Sequence, residues 1–165
     1  MKIKLILALS LFVFSCNNIN NSKEEFQYER VKEDKTVVQN NSVSNIITLN
    51  SNDQMKIDKK VIKVNSNQKV TLTLNHTGRF PVSSMGHNFV LLKKDIDINE
   101  YALSAAGARN SEYIPEGDNE LAYTKMLGGG ESDTITFDSP EPGTYVFICS
   151  FPGHYQLMMG EFIVK

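Results

Sequence analysis

The chain has 165 residues, with 17 lysines and arginines against 19 aspartates and glutamates, which makes its formal net charge −2. This near-neutral balance excludes nucleic acid as a partner, because phosphate binding needs clustered positive charge. The length allows a single globular domain, and an apolar content of 41% is ordinary for one. No apolar run reaches the roughly 18 residues that a membrane-spanning helix needs.

The first fifteen residues predict an export signal rather than a part of the fold. Lys2 and Lys4 precede an apolar run over residues 5–14, in the order typical of a signal peptide. Residues 13–16 read VFSC and resemble the lipobox of bacterial lipoproteins, whose cysteine is acylated and becomes the mature N-terminus. Cys16 is therefore the predicted lipidation site. The predicted location is the bacterial periplasm with a lipid anchor in a membrane, and the alternative is a soluble periplasmic protein.

Residues 16–45 predict a flexible tether. They are rich in Asn, Ser, Lys and Glu, and their few apolar residues follow no period. Such a composition buries too little apolar surface to offset the entropy lost on folding. The predicted organisation is therefore a signal peptide over 1–15, a tether over 16–45 and one folded domain over 46–165.

From residue 46 onwards, short apolar runs separated by turn residues predict an all-β domain. In the clearest run, Val70, Leu72 and Leu74 alternate with threonines, as in a half-buried strand. Further runs predict strands at 46–49, 55–57, 61–64, 89–92, 134–137, 145–148 and 162–164. Seven to eight short strands favour a Greek-key β-sandwich or barrel. Apolar residues spaced mostly three or four apart between 96 and 105 add a short inserted helix.

Metal-binding side chains are concentrated near the C-terminus, where residues 149–158 read CSFPGHYQLM. Cys149 offers a thiolate, His154 an imidazole and Met158 a thioether, while His87 offers a second imidazole from the segment MGHN. Two histidines, one cysteine and a distant axial methionine form the copper site of electron-transfer proteins. Imidazole suits Cu(II) and soft sulfur suits Cu(I), so this donor set predicts one type 1 copper ion.

Simpler interpretations exist for each of these residues taken alone. Cys149 could be a buried free thiol, His87 a polar residue at a strand edge and Met158 a core side chain. The four residues together favour a metal, because the one cysteine that would not be lipidated, two of the three histidines and a methionine occupy the pattern of a copper site. Zinc is the competing metal, but structural zinc sites favour more cysteine and histidine ligands with CxxC-type spacing.

Four segments of the chain resemble the azurins, a group of blue copper proteins within the cupredoxin family. The segments are NDQM at 52–55, MGHN at 85–88, YTKMLGGGESDTITFD at 123–138 and CSFPGHYQLMMG at 149–160. The most specific feature is the spacing of Cys149, His154 and Met158, because related plastocyanin-like sites use a shorter interval between cysteine and histidine. The resemblance covers residues 46–165 and implies a cupredoxin-like Greek-key fold.

The resemblance also implies a role for each residue around the metal. The implied ligands are His87, Cys149 and His154 in the equatorial positions, Met158 as the axial sulfur and the carbonyl of Gly86 as the opposite axial oxygen. Asn88 would tie the two ligand loops together, Phe151 would screen the thiolate from water, and His76 would be a pH-sensitive neighbour. The alternative for His76 is an ordinary histidine at the end of a strand. The implied docking patch consists of Met85, Pro152, Gly153 and Leu157.

The function implied by this resemblance is a one-electron shuttle that cycles between Cu(II) and Cu(I) outside the cytoplasmic membrane. We expect no enzymatic activity, because no nucleophile is paired with a base in the sequence. The expected partners are redox donor and acceptor proteins, such as c-type cytochromes or a copper- or haem-containing reductase or oxidase, and the protein would be monomeric. The alternatives are a copper carrier or buffer with the same ligands, and a metal-free interaction module.

Overall fold

The computed structural model describes residues 43–165, and the predicted signal peptide, Cys16 and most of the tether lie outside the described residues. The strands in this range are β1 (Ile46–Asn52), β2 (Lys56–Ile57), β3 (Val61–Val64), β4 (Lys69–His76), β5 (Val90–Leu92), β6 (Glu120–Tyr123), β7 (Ser132–Asp138), β8 (Gly143–Ile148) and β9 (Met159–Val164). The helices are α1 (Val82–Met85), α2 (Ile98–Gly107) and a 3₁₀ turn at Arg109–Ser111. None of them is long and apolar enough to cross a membrane.

The strands form two sheets. The first has the order β2-β1-β4-β7 and the second the order β3-β9-β8-β5-β6. β1 pairs with β4 and β3 pairs with β9 in parallel, and the other pairs are antiparallel. Because most neighbours are not consecutive in the chain, the chain crosses repeatedly between the sheets. The prediction of an all-β Greek-key sandwich is confirmed.

The main core lies between the two sheets, and β4 illustrates how the sequence builds it. Val70, Leu72 and Leu74 are fully buried. The intervening Thr71 and Thr73 face outwards and share hydroxyl hydrogen bonds with Thr136 and Thr134 of β7, at 3.2 and 2.8 Å. The alternation in the sequence therefore corresponds to one buried and one polar face of the sheet.

The predicted inserted helix is α2, and it covers the outer face of the second sheet. The Asp97 side chain caps its N-terminus by accepting hydrogen bonds from the backbone N–H groups of Asn99 and Glu100. On the buried side of the helix, Tyr101 and Ala105 pack against a second apolar cluster that includes Val90, Leu92 and Ile148. This helix therefore gives β5 and β8, the strands that lead to the metal-binding residues, an apolar cover on their outer side.

Two short elements were not predicted from the sequence. β6 has a half-buried sequence, ELAY, without an alternating pattern, and it is held in place by pairing with β5. α1 is a single turn of four residues with no side-chain cap, so it has no helical period to detect. Both elements matter for the site, because α1 ends next to Gly86 and β6 leads into the loop that pairs with His87.

Candidate metal centre

The loop from Cys149 to Met158 connects β8 to β9 and folds back on itself. The Cys149 N–H donates to the Met158 carbonyl at 2.8 Å, and the Met158 N–H donates to the His154 carbonyl at 2.9 Å. Gly153 permits the turn because its φ is +82°, a left-handed conformation that glycine adopts without strain. The loop geometry therefore returns His154 and Met158 to the level of Cys149.

The second ligand segment is held by backbone pairing on the other side of the site. His87 lies just before β5, and it forms an isolated bridge with Leu127 in which each N–H donates to the other's carbonyl, at 3.0 and 2.8 Å. Leu127 belongs to the turn between β6 and β7. His87 is therefore fixed by two backbone hydrogen bonds although it lies outside the strands.

Three donor atoms from these segments converge on one buried point. The Cys149 sulfur lies 3.9 Å from Nδ1 of His87 and 3.8 Å from Nδ1 of His154. The three donor atoms all lie within 4.8 Å of one another, and the three side chains are buried. Within residues 43–165, this is the only group of three or more His, Cys, Asp or Glu side chains with the spacing of a metal site.

The orientation of the His87 ring is set by a contact that the sequence did not reveal. Its Nε2 lies 3.0 Å from the carbonyl oxygen of Asn52, at the end of β1. A hydrogen bond there makes Nε2 the protonated nitrogen and leaves the Nδ1 lone pair facing the Cys149 sulfur, free to bind a metal. The motif NDQM at 52–55 was noted for its resemblance, but its carbonyl carried no predicted role.

Gly86 and Met158 lie in the two segments that carry the three donors. The Gly86 carbonyl oxygen lies 3.8 Å from the Cys149 sulfur. Met158 is 1% exposed and belongs to neither apolar cluster, whereas Met159 is half-buried and packs with the second cluster. The two neighbouring methionines therefore have different environments, and Met159 is taken up by packing against Ile148 and the residues around it.

The protonation states of the ligands follow from their burial. Burial raises the pKa of the Cys149 thiol to about 11, although the backbone N–H groups of Asn88 and Phe151 favour the thiolate. Burial, helped by the nearby rings of His76 and His154, lowers the pKa of His87 to about 4. Burial also lowers the pKa of His154, against the opposing effect of the Gly86 carbonyl. Both imidazoles are thus neutral at pH 7, the form that binds metals.

Asn88 lies between the two ligand segments. Its amide nitrogen donates to the Ser150 hydroxyl at 2.8 Å, and its amide oxygen accepts the Ser150 N–H at 2.8 Å. Both residues are buried. These paired hydrogen bonds connect the residue after His87 with the residue after Cys149, which restrains the distance between His87 and Cys149.

His76 is the last residue of β4, and its ring packs directly against that of His87. Its ring centroid lies 4.2 Å from that of His87. Its Nε2 lies 2.9 Å from the Met85 carbonyl, and its Nδ1 accepts the Gly78 N–H at 3.0 Å. The Asp53 carboxylate is 3.8 Å away. His76 therefore supports the back of the His87 ring, and both of its nitrogens have partners.

Phe151 covers the site between Gly86 and His154. Its ring lies 4.6 Å from the His154 ring and 5.2 Å from Tyr113, and a side chain at Gly86 would lie 2.8 Å from the Phe151 ring. Tyr113 was not predicted from the sequence. It follows Glu112, whose carboxylate accepts the Met126 N–H at 2.9 Å, and both residues have positive φ angles. These contacts hold the 3₁₀ segment beside the metal-binding loop.

The predicted docking patch is partly exposed. Pro152 and Gly153 are exposed, Leu157 is 54% exposed and Met85 is half-buried, while His154 behind them is 5% exposed. Phe80, which no sequence motif indicated, is a further exposed apolar side chain and lies in the segment that leads into α1.

The chemistry of the donor set fits copper. It combines two neutral imidazoles with one sulfur that is a thiolate when it binds metal, and it includes neither a carboxylate nor a second thiol. This composition matches blue-copper sites and differs from the cysteine-rich sets of structural zinc.

Comparisons with known proteins agree with this chemistry. Residues 43–165 match the family model described as copper binding proteins, plastocyanin/azurin family. Azurin of Bordetella pertussis is 49% identical over 114 residues, which cover 66% of this chain and 75% of that protein. Outer membrane protein H.8 of Neisseria gonorrhoeae is 41% identical over 118 residues, covering 69% of this chain and 64% of that protein.

A solved structure of a similar protein has the same fold. Sodium-dithionite-reduced auracyanin from Roseiflexus castenholzii superposes with a TM-score of 0.64 at 36% identity, covering 74% of this chain and 98% of that one. The predicted cofactor, one copper ion, is confirmed, with His87, Cys149 and His154 as the group able to bind it. The chain therefore belongs to the plastocyanin/azurin family of copper binding proteins.

Proposed function

We propose that this protein carries single electrons between redox partner proteins. The observation that carries the proposal is the convergence of His87 Nδ1, Cys149 Sγ and His154 Nδ1 on one buried point. These three atoms would hold the copper ion, and the Met158 sulfur and the Gly86 carbonyl oxygen would be two further, weaker donors. When bound, copper supplies a one-electron couple between Cu(II) and Cu(I) at this point.

The role of the surrounding residues is to hold one geometry for both oxidation states. The Asn88–Ser150 hydrogen bonds restrain the two ligand segments, and the Asn52 carbonyl orients His87. Phe151 and His76 exclude water from two sides of the ligand rings. A site that moves little when the charge changes exchanges electrons with little reorganisation of its ligands. We therefore assign no enzymatic activity to the protein.

Electrons would enter and leave through the patch in front of His154. This imidazole is nearly buried, yet it lies in the loop that also carries the exposed Pro152, Gly153 and Leu157. A small apolar surface close to the metal suits transient redox encounters, which commonly use small interfaces. We propose that c-type cytochromes, or a copper- or haem-containing reductase or oxidase, dock there on a monomeric protein.

Burial of the ligands disfavours the alternative of a copper carrier. A carrier exchanges its metal with a partner, so its ligands must be reached from outside. Here His87 is 0% and Cys149 1% exposed. Exchange would need the whole loop to open, against the backbone hydrogen bonds that join Cys149 to Met158 and Met158 to His154.

We also propose that the domain works in the periplasm, anchored by lipid on Cys16 through a tether of residues 16–45, after removal of residues 1–15. The proposal rests on the order of basic, apolar and cysteine residues at the N-terminus. It is also supported by the similarity to outer membrane protein H.8. Two acyl chains give stable anchoring where one is marginal.

The electron-transfer proposal is tested with copper-loaded protein and a Cys149→Ser variant. The oxidised parent should show an intense blue absorption band and a reversible one-electron wave in voltammetry. Cys149→Ser should lose both and keep its far-ultraviolet circular dichroism, because the thiolate–copper bond produces the band. Cys16→Ser, the change at the other cysteine, is the matched control and should keep both signals. A blue band that persists in Cys149→Ser would remove this residue from the site.

A further inference from the structure

Lys60 contacts the metal-binding loop although none of the roles described above involves it. It lies just before β3, and its side-chain Nζ donates hydrogen bonds to the carbonyl of Leu157 at 2.5 Å and to that of Met159 at 3.1 Å. The two acceptor residues lie 97 and 99 residues after Lys60 in the chain. One ammonium group therefore connects the beginning of β3 with the end of the loop.

The two carbonyls that Lys60 binds lie on either side of Met158. From the opposite direction, the backbone of Met158 is held by its bonds to His154 and Cys149. Lys60 supplies the restraint on the outer side, where the loop ends and β9 begins. Without it, the carbonyls of Leu157 and Met159 would lose a charged donor, and such hydrogen bonds are stronger than those between neutral groups.

The backbone of Lys60 packs closely against the start of β9. The Lys60 carbonyl accepts the Glu161 N–H at 2.8 Å. A Cβ atom at Gly160 would lie 2.5 Å from the same carbonyl oxygen and from the Phe147 ring, so only glycine allows the start of β9 to approach so closely. The base of the lysine side chain is thus fixed against the residues that follow Met158.

We propose that Lys60 is a positioning residue for the axial ligand: it holds the backbone on both sides of Met158 and thereby contributes to the reduction potential of the site. The inference rests on the proposed function, in which the Met158 sulfur is a weaker donor to the copper ion. The identity and placement of the axial ligand tune the potential of such sites. A displacement of the Met158 backbone changes that placement without altering any ligand.

The test uses the copper-loaded full chain and compares Lys60→Met with Lys63→Met. Methionine keeps much of the length of the side chain but removes the charge and the hydrogen-bond donors. Lys63 is an exposed lysine on β3, and among the described residues its side chain donates no hydrogen bond to the loop. Lys60→Met should shift the reduction potential and alter the ratio of the thiolate-to-copper absorption bands, whereas Lys63→Met should leave both near the parent values.

Two further variants separate positioning from the simple loss of a charge. Lys60→Arg keeps a cationic donor, so the shift of its reduction potential should be less than half of the shift in Lys60→Met. In a Met158→Leu background, Lys60→Met should produce less than half of its original shift, because the residue to be positioned is gone. A shift that persists in full without Met158 would mean that the charge acts through space, and equal shifts in Lys60→Met and Lys63→Met would mean that the contact is irrelevant. Either result overturns the proposal.

Copper-free protein provides a measurement that does not depend on the proposed function. Loss of the two hydrogen bonds should accelerate amide hydrogen exchange at Leu157 and Met158 about fivefold in Lys60→Met relative to Lys63→Met. Unchanged exchange at these amides would refute the positioning role. If the parent protein itself shows no blue band, the electron-transfer proposal fails, and this exchange experiment still decides whether Lys60 holds the loop.

Discussion

The two ring nitrogens of His87 face different parts of the protein. Nε2 is occupied by the Asn52 carbonyl, and Nδ1 is directed towards Cys149. The same burial that excludes water also makes the ionised forms of the ligands costly, and therefore the pKa of Cys149 is raised while those of His87 and His154 are lowered. In the copper-free protein at neutral pH, Cys149 retains a proton that it must release to become a ligand.

The lowered pKa of His87 predicts that the copper-free protein loses stability in acid. The pKa of His87 is about 4 in the folded state against 6.5 for a histidine in the unfolded chain, so between these values the unfolded chain binds the proton more readily. The stabilisation is complete above pH 6.5 and is lost as the pH falls to 4, by up to about 3 kcal/mol. Urea unfolding at several pH values between 4 and 6.5 measures this loss of stability. His87→Gln should give a flatter dependence, and an equally steep one would contradict the assignment.

Replacement of Met158 by glutamine should preserve copper binding but lower the reduction potential. An amide oxygen is a harder donor than a thioether, so it favours Cu(II) over Cu(I). Voltammetry of the copper-loaded variant measures the change. Met159→Gln is the matched control and should leave the potential close to that of the parent, because Met159 packs with the second apolar cluster. A lower potential in Met159→Gln, with an unchanged potential in Met158→Gln, would show that Met159 and not Met158 is the sulfur donor.

Among the elements of the fold, the turn between β6 and β7 connects the site to the segment before α1. The Gly129 N–H donates to the Phe80 carbonyl and the Gly130 N–H donates to the His76 carbonyl, each at 2.8 Å. The same turn carries Leu127, the pairing partner of His87. The glycines at 128–130 therefore allow the backbone of this turn to contact the backbones of His76 and Phe80, close to His87.

Gly129→Ala should destabilise the fold by about 1–3 kcal/mol, because overpacking forces well-packed backbone to shift. A Cβ atom at Gly129 would overlap backbone atoms of Arg79 and lie 2.6 Å from its carbonyl carbon. Gly107→Ala, at the end of α2, is the matched control. A Cβ atom there would meet nothing within 4 Å, and alanine favours helix, so this variant should be neutral or slightly stabilised. Urea unfolding compares the two, and equal stabilities would contradict the overlap.

At the scale of the whole molecule, the metal site and the predicted anchor belong to different parts of the chain. Every residue assigned to the metal site lies within the described range 43–165. The domain also uses residues just before β1: the Asn45 side chain and the Asn65 backbone exchange hydrogen bonds of 3.0 and 2.8 Å. A fragment that begins at residue 43 is therefore a better test of the isolated domain than one that begins at residue 46.

Cys16→Ala should block lipidation and release the protein from the membrane, or halt its processing, without altering the copper site. The physical reason is that the lipid supplies only location, while the ligands come from the folded domain. Cell fractionation and labelling with fatty acid test the anchor, and the blue band of the 43–165 fragment tests the independence of the site. A wild-type protein that takes up no label and stays wholly soluble would show that residues 1–15 are an ordinary signal peptide.

The sequence by itself determined the features that depend on local patterns. The alternation of Val70, Leu72 and Leu74 predicts a strand with one buried face, because side chains in a strand point to opposite sides in turn. Cys149, His154 and Met158 were recognised because a single loop holds them at a characteristic spacing. Only a short range of chain is needed for either pattern, so no knowledge of the packing of distant segments was required.

Only the tertiary structure decided which distant residues meet at the metal site. The Asn52 carbonyl reaches His87 across 35 residues and Lys60 reaches Leu157 across 97, and neither pair has a sequence pattern that predicts contact. The contact between the rings of Tyr113 and Phe151 also has no sequence pattern that predicts it. Such contacts depend on the order and register of strands in two packed sheets. That order results from the burial of the whole core. Residues from many separate segments form this core, so no single segment of the sequence determines the order.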